Sequence, residues 1–150
     1  NNEKKLEMAR EFGATHTVNI SEVEDGAKAV KKLTGGVDYA FECVGAGAVV
    51  EQAYKCLGRG GTAVVVGVSD PKDRTSITTL TLPADEKTLK GSWLGSARPQ
   101  YDFPRILGLY KAGKLKLDEL VTRTYHIDDA PQAFDDMLAG KNARGVIVFD

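Results

Sequence analysis

The stretch FECVGAGAVVEQAYKCLGRGGTAVVVGV, residues 41–68, places a helix-like segment between two apolar strand-like runs and contains six glycines. Glycine between a strand and a helix is where dinucleotide-binding folds hold a pyrophosphate. The fingerprint G-x-G-x-x-G needs a third glycine, but a valine stands at that position after Gly45 and Gly47. The second cluster, GRGG at residues 58–61, precedes its strand, whereas phosphates bind beyond the carboxyl ends of parallel strands. We therefore predict that neither loop is the main pyrophosphate cradle.

Two of these glycines are nevertheless candidates for a different role. Gly45 and Gly67 each follow an apolar strand, at the edge of a parallel sheet where ligands bind. Glycine at such a place lets the backbone approach a flat ligand closely. The two residues are thus candidates for a secondary lining of a nucleotide crevice, and the alternative is that they serve only tight turns.

Strand-like and helix-like segments alternate along the whole chain. Strands are predicted at residues 15–20, 37–45, 62–68, 87–95, 120–127 and 145–150. Five helices are predicted, which start after caps at Asn2 and Ser21, cover residues 46–57, and start again near Asp102 and near Asp128. The helical faces assigned to the core comprise Val23, Ala27, Val30, Leu33, Val50, Ala53, Leu57, Phe103, Ile106, Leu107, Tyr110, Ala130, Phe134, Met137 and Leu138. Such alternation predicts an α/β fold with a doubly wound, largely parallel sheet that helices cover on both faces.

The composition excludes some classes of partner. Twenty Lys and Arg residues balance twenty-one Asp and Glu residues, so no net field attracts nucleic acid or an anionic membrane. No apolar run approaches the roughly 20 residues that span a bilayer. Cys43 and Cys56 lack metal-binding spacing and are predicted to be buried thiols, as in a cytoplasmic protein of a reducing compartment.

Polar residues elsewhere give no convincing metal or acid–base site. His16 and His126 stand far apart in the sequence without neighbouring ligands, so both are interpreted as surface or strand-edge histidines. Two aspartates, at positions 128 and 129, are predicted to cap a helix. Asp135 and Asp136 are predicted to lie on the solvent face of that helix.

Several motifs occur in an order that resembles the zinc-dependent medium-chain alcohol dehydrogenases, especially their class III-like branch. The motifs are GGVDYAFECVG at 35–45, GRGGTAVVVGV at 58–68, TLKGSWLGS at 88–96 and GKLKLDELVTRTYHIDDAPQAF from residue 113. The resemblance implies an incomplete Rossmann-like domain, whose first strands, glycine-rich turn and ribose-binding carboxylate would precede Asn1. Residues 1–95 would form part of the dinucleotide-binding domain, and residues 96–150 would return to the catalytic domain.

The resemblance also implies roles for individual residues in binding NAD. The residues concerned are Lys5, Cys43 and Val44 near the adenosine, Val66, Gly67 and Val68 at the nicotinamide, Ser92 and Leu94 at its carboxamide, and Arg144 at the pyrophosphate. One departure is Ala46, which stands where some relatives carry a longer polar or cationic residue. A side-chain contact to the adenosine is therefore not expected at that position.

The parent enzyme implied by this resemblance transfers a hydride between a primary alcohol or aldehyde, or a thiol adduct, and NAD. Zinc would be bound in the parent only, since no ligand set is present here, and this chain alone would be inactive. Two alternatives stay open: a non-catalytic oligomerisation or binding module, and a zinc-independent quinone or enoyl reductase of the same superfamily. The family further implies a homodimer formed through the strand at 87–95, with Trp93 near the contact.

Overall fold

Two parallel sheets organise the described part of the chain, residues 2–149 of a computed structural model. The first sheet belongs to a unit that ends at Ala97, and the second to a unit that begins at Arg98. Both units combine helices with parallel strands, which confirms the predicted α/β class. The outermost residues of the predicted domains and of the last predicted strand, Asn1 and Asp150, lie outside the described residues. The assignment of the two segments to a dinucleotide-binding and a catalytic domain stays a prediction.

The first unit places three parallel strands side by side in the order β1, β2, β3. Its elements are α1 (Glu3–Glu11), α2 (Gly26–Thr34), β1 (Val37–Glu42), α3 (Gly47–Cys56), β2 (Leu57–Val65), α4 (Thr81–Ala84) and β3 (Thr88–Gly91). Asn2 caps α1 as predicted, since its side-chain oxygen accepts the Lys5 amide. Helix α3 carries the chain from β1 to β2, which is the crossover that parallel pairing requires.

A small apolar core closes the first unit. Leu57, the first residue of β2, is fully buried, and Tyr54 and Ala63 are nearly so. Val37 on β1 and Leu89 on β3 pack against these three residues. Because burial of one leucine side chain contributes about 1.5–3 kcal/mol, the start of β2 is a main source of stability in this unit.

The second unit pairs two parallel strands across one helix. Its elements are α5 (Pro99–Lys111), β4 (Val121–His126), α6 (Ala130–Leu138) and β5 (Arg144–Val148). Strands β4 and β5 run parallel, and α6 connects them. Within residues 2–149, no helix is long and apolar enough to cross a membrane.

The carboxylate of Asp136, on α6, is buried at the centre of the second unit. Its Oδ1 accepts hydrogen bonds from Lys141 Nζ at 2.8 Å and from Gln132 Nε2 at 2.9 Å. Its Oδ2 accepts hydrogen bonds from Arg123 Nη1 at 2.7 Å and from the Tyr125 hydroxyl at 3.0 Å. The Lys141 hydrogen bond is the main cause that lowers the pKa of Asp136 from 3.8 to about 2. We call these five residues the Asp136 cluster; the prediction that Asp136 faces solvent is wrong, because donors from β4 and from beyond α6 enclose it.

Two predicted boundaries near the start of the chain are wrong. Residues 15–20 form no strand. An extended segment becomes a strand only beside a partner, and within residues 2–149 β1 pairs with β2 alone. Helix α2 begins at Gly26 rather than after Ser21, because the Asp25 carboxylate accepts the Lys28 amide and caps it there.

Some predicted core positions are confirmed and others are wrong. Ala27, Val50 and Leu57 are buried as predicted. The predicted core residues that are exposed are Leu33, Phe103, Ile106, Leu107, Phe134, Met137 and Leu138. An apolar helical face is buried only where a further element packs on it, and periodicity alone does not supply that element.

The predicted burial of β1 and of the cysteines is also partly wrong. Tyr39 and Phe41 are each about two-thirds exposed, so β1 is not covered on both faces. Cys43 is exposed because it follows the end of the strand. Cys56 is half-buried on α3, and this burial raises the pKa of its thiol.

Candidate functional site

Three strands of the first unit end side by side. Glu42 of β1 is opposite Val65 of β2, and Val65 is opposite Gly91 of β3. These ends come earlier than the sequence predicts, and the ladder closes with one further bond, from the Ser92 amide to the Val65 carbonyl at 2.9 Å. Since neighbouring strands lie about 4.8 Å apart, the loops that follow leave the sheet at one common edge. We call residues 43–46, 66–68 and 92–96 the carboxyl edge.

The carboxyl edge groups seven of the nine residues that the sequence associates with NAD. These are Cys43, Val44, Val66, Gly67, Val68, Ser92 and Leu94. Lys5 lies on α1 with an exposed side chain. Arg144 is the first residue of β5 in the second unit and is exposed. The individual contacts of all nine residues stay predictions.

Two loops of the carboxyl edge touch through their backbones. Gly45 has a φ of 84°, a left-handed conformation that favours glycine. A Cβ atom added to Gly45 would lie 2.4 Å from the Val68 carbonyl oxygen, and one added to Gly67 would lie 2.1 Å from the Gly45 nitrogen. Real Cβ contacts are not that short, so both positions require glycine. The loops after β1 and β2 therefore form one continuous surface.

Glu42 joins these two loops from beneath. Its Oε1 accepts the amides of Val44 and Gly45, each at 2.7 Å. Its backbone carbonyl accepts the amides of Val66 and Gly67, at 2.8 and 3.0 Å. The side chain is 1% exposed, and Oε2 has no hydrogen-bond partner. Sequence reasoning missed this residue, although a carboxylate at the end of a mostly apolar strand, three residues before a glycine, is a signal for it.

Apolar side chains project from the carboxyl edge. Val44, Val68 and Leu94 are each more than 70% exposed. Leu94 and Ser96 also have positive φ angles of 48° and 52°, on either side of Gly95. Non-glycine residues held there carry about 1–3 kcal/mol of strain each, and such strain concentrates at ligand sites. An exposed apolar surface beside close backbone groups suits a flat, partly polar ligand.

The N-terminus of α3 is filled by a side chain of the same unit. Asp73 Oδ2 accepts the Gly47 amide at 2.6 Å, and Asp73 Oδ1 accepts the Arg74 amide at 2.8 Å. These backbone hydrogen bonds, that from Gly47 first, lower the pKa of Asp73. The carboxylate thus takes the place that a phosphate takes at a free helix N-terminus. This contact supports the prediction that the Gly45–Gly47 turn is not the main pyrophosphate cradle, which stays a prediction.

A large open cleft of about 820 Å³ lies elsewhere in the first unit. Its lining includes Lys28 and Lys31 of α2, Tyr54 of α3, and Lys87. Its carboxylates are already engaged, for example Asp85 with Lys87 at 3.1 Å. None of the residues associated with NAD lines this cleft, so its size alone does not make it the candidate site.

The chain is similar to known dehydrogenases over nearly its whole length. Residues 1–112 match the family described as zinc-binding dehydrogenase. The chain is 47% identical to putative alcohol dehydrogenase D of Mycobacterium tuberculosis, over 96% of this chain and 40% of that protein. It is 33% identical to S-(hydroxymethyl)glutathione dehydrogenase of Paracoccus denitrificans, over 99% of this chain and 41% of that protein.

Solved structures agree with the sequence relatives. Benzyl alcohol dehydrogenase from Acinetobacter calcoaceticus superposes with a TM-score of 0.91 at 32% identity. The match covers 99% of this chain and 41% of that protein. The chain therefore spans about 40% of the length of the relatives that it matches.

Proposed function

The chain belongs to the zinc-binding dehydrogenase family, and we propose that it supplies the nicotinamide side of the nucleotide site in an NAD-dependent alcohol dehydrogenase. The observation that carries this proposal is the carboxyl edge, where three parallel strands end together beside exposed apolar side chains. The names of the relatives favour an alcohol or aldehyde as the substrate of the whole enzyme over a quinone or an enoyl compound. When bound, NAD supplies the hydride acceptor of the reaction.

In this proposal the carboxyl edge binds and orients the nicotinamide. Val68 and Leu94 exclude water from the ring by covering it with apolar surface. The Ser92 amide already bonds to Val65 and the Gly67 amide to Glu42, so neither donates to a ligand. The carbonyls of Val66 and Ser92 would instead accept from the carboxamide nitrogen, and the Leu94 amide would donate to the carboxamide oxygen.

No catalytic step is assigned to zinc on this chain. Within residues 2–149 no group of three or more His, Cys, Asp or Glu side chains is placed to hold a metal ion. We propose that the contribution of the chain is binding and orientation. We expect no alcohol oxidation by these 150 residues alone, and NADH formation from a primary alcohol above the buffer control would contradict this expectation.

An NMR titration of the isotope-labelled chain with NAD tests the proposed site. We expect amide shifts at residues 44–45, 66–68 and 92–94, with a dissociation constant weaker than micromolar because Asp73 occupies the N-terminus of α3. Gly67→Ala should abolish the shifts, since its methyl group would meet Gly45. Gly91→Ala is the matched control, because nothing lies within 4 Å of a Cβ there. Shifts centred on Lys28 and Lys31, or micromolar affinity, would contradict the proposal.

We also propose that the enzyme is a homodimer that pairs through β3. This strand lies at one edge of the described sheet, and Trp93 just beyond it is 73% exposed. An unpaired strand edge favours addition of another strand. Light scattering at micromolar concentration should give the mass of a dimer or a larger species, whereas a monomeric mass would contradict the pairing.

A further inference from the structure

Glu42 is placed between the two loops that the proposed function needs most. Its side chain holds the loop after β1 through two amides, and its backbone carbonyl holds the loop after β2 through two more. A hydrogen bond to a charged acceptor is roughly twice as strong as a neutral one. Glu42 therefore accepts hydrogen bonds from two amides in each loop, those of Val44 and Gly45 and those of Val66 and Gly67.

The second carboxylate oxygen of Glu42, Oε2, lies against the loop after β2. Oε2 is buried and has no hydrogen-bond partner. A Cβ atom on Gly67 would lie 2.7 Å from it, so Oε2 faces the α-carbon of Gly67. A Cα–H group is a weak donor and does not repay the burial of a charged oxygen. If β1 needed only a filler at this place, an apolar residue like those before it in the strand would serve better.

Glu42 does not reach a ligand directly, since Oε2 is closed off from solvent. We propose that Glu42 is a positioning residue: it sets the spacing of the 43–45 and 66–68 loops, and through that spacing it sets the affinity for a nicotinamide dinucleotide. This inference rests on the proposed function of the carboxyl edge. It concerns a residue that the sequence comparison with the family did not associate with NAD.

Glu42→Gln is the sharpest variant, because it keeps the size and removes the charge. Its NH2 group must face either the amides of Val44 and Gly45 or the α-carbon of Gly67, and neither side offers an acceptor. Glu42→Asp keeps the charge but is one methylene shorter, so its carboxylate does not reach the Val44 and Gly45 amides and the α-carbon of Gly67 at the same time. Glu51→Gln is the matched control, since Glu51 accepts the Ser76 amide at 2.8 Å away from these loops.

Amide exchange and NAD titration of the same labelled chains test the inference. In Glu42→Gln we expect exchange at Val44, Gly45, Val66 and Gly67 to be about tenfold faster or more, and the NAD dissociation constant to rise about tenfold. The interior of β2, at residues 63–64, should keep its protection. Glu42→Asp should fold and show a smaller change in the same direction, and Glu51→Gln should match the unsubstituted chain.

Two results would overturn the inference. In one, Val44 and Gly45 exchange faster while Gly67 and the NAD affinity are unchanged, so the side chain closes only its own loop. In the other, residues 63–64 lose as much protection as the loops, so Glu42 supports stability in general. Failure of the proposed function would look different, because NAD would then shift no carboxyl-edge amide of the unsubstituted chain. The exchange rates are measured without NAD, so they would still decide whether Glu42 couples the two loops.

Discussion

The two units of this chain have different cores. The core of the first unit is the apolar cluster of Tyr54, Leu57 and Ala63, and its buried carboxylate, Glu42, accepts backbone amides at the carboxyl edge instead. The second unit buries Asp136, whose carboxylate gathers four side-chain donors. Apolar burial depends little on pH, whereas an ionic centre stabilises a fold only while its charges persist and stay paired. The same strand–helix–strand pattern can thus be stabilised mainly by apolar burial or mainly by a buried carboxylate and its donors. The two units should therefore respond differently to substitution and to acid.

The largest effect is expected from Asp136→Asn. Asparagine keeps one acceptor oxygen but turns an NH2 group toward two of the four donors, so charge-assisted hydrogen bonds are lost inside the unit. Exchange of the β4 and β5 amides should accelerate by at least roughly a hundredfold, while β2 keeps its protection. Asp135→Asn, an exposed neighbour on the same helix, is the matched control. Equal exchange in the two variants would show that the Asp136 cluster does not hold the second unit.

The next largest effect is expected from Leu57→Ala. This fully buried side chain cannot be truncated without leaving a cavity, so the free energy of unfolding of the first unit should fall by about 2–5 kcal/mol. Leu33→Ala, at a half-exposed position, should change it by less than about 0.5 kcal/mol. Urea titrations followed by circular dichroism measure both. A small loss in the Leu57 variant would mean that the apolar core is not the centre of the unit.

Lowering the pH should destabilise the second unit before the first, without any substitution. The pKa of Asp136 is lowered from 3.8 to about 2 in the folded state, chiefly by Lys141. A depressed carboxylate pKa gives stability that is present above the unfolded value and is lost as pH falls through the folded value. The lowered pKa of Asp73 gives the first unit a dependence of the same sign but smaller, so NMR signals of β5 should weaken between about pH 4 and pH 2, before those of β2. Simultaneous loss of both sets would remove the contrast between the units.

The smallest effect is expected for an exposed ion pair. Lys55 and Glu51 lie 3.6 Å apart on α3, and the Lys55 side chain is 60% exposed. Such surface pairs contribute about 0–1 kcal/mol, so Lys55→Ala should be nearly neutral in a urea titration. Lys141→Ala, which removes a donor to buried Asp136, should destabilise the second unit far more. Comparable effects of the two substitutions would show that burial of the carboxylate does not matter.

The fold class was predictable because it follows from the local alternation of strand-like and helix-like segments. Apolar runs and helix caps predicted β4, α3 and the burial of Leu57 correctly. Residues 15–20 show the limit of such patterns, since their β-branched composition predicts a strand and only a neighbouring strand makes one. The same limit applies to the exposed apolar faces of α5 and α6, because helical spacing does not show which element packs on a face.

The sequence predicted the location of the candidate site better than it predicted the contacts that hold the site together. Strand ends in a parallel sheet share an edge, so Gly45 and Gly67 were predicted to lie where ligands bind, whereas Val44 and Ser92 were associated with NAD only through the family resemblance. Buried carboxylates were missed because their environment comes from distant parts of the chain. Glu42 is enclosed through Gly67, and Asp136 through Arg123 and Tyr125. Only Gln132 and Lys141, among the four side-chain donors to Asp136, lie within five residues of it.

A chimera tests most directly whether the first unit supplies the nucleotide edge of a dehydrogenase. Residues 1–150 would replace the matching 41% of benzyl alcohol dehydrogenase from Acinetobacter calcoaceticus, which superposes at a TM-score of 0.91. We predict that the folded chimera oxidises benzyl alcohol with reduction of NAD, and that Gly67→Ala in the chimera abolishes this activity while Gly91→Ala retains it. A folded chimera that binds and reduces no more NAD than the host lacking that segment would contradict the account.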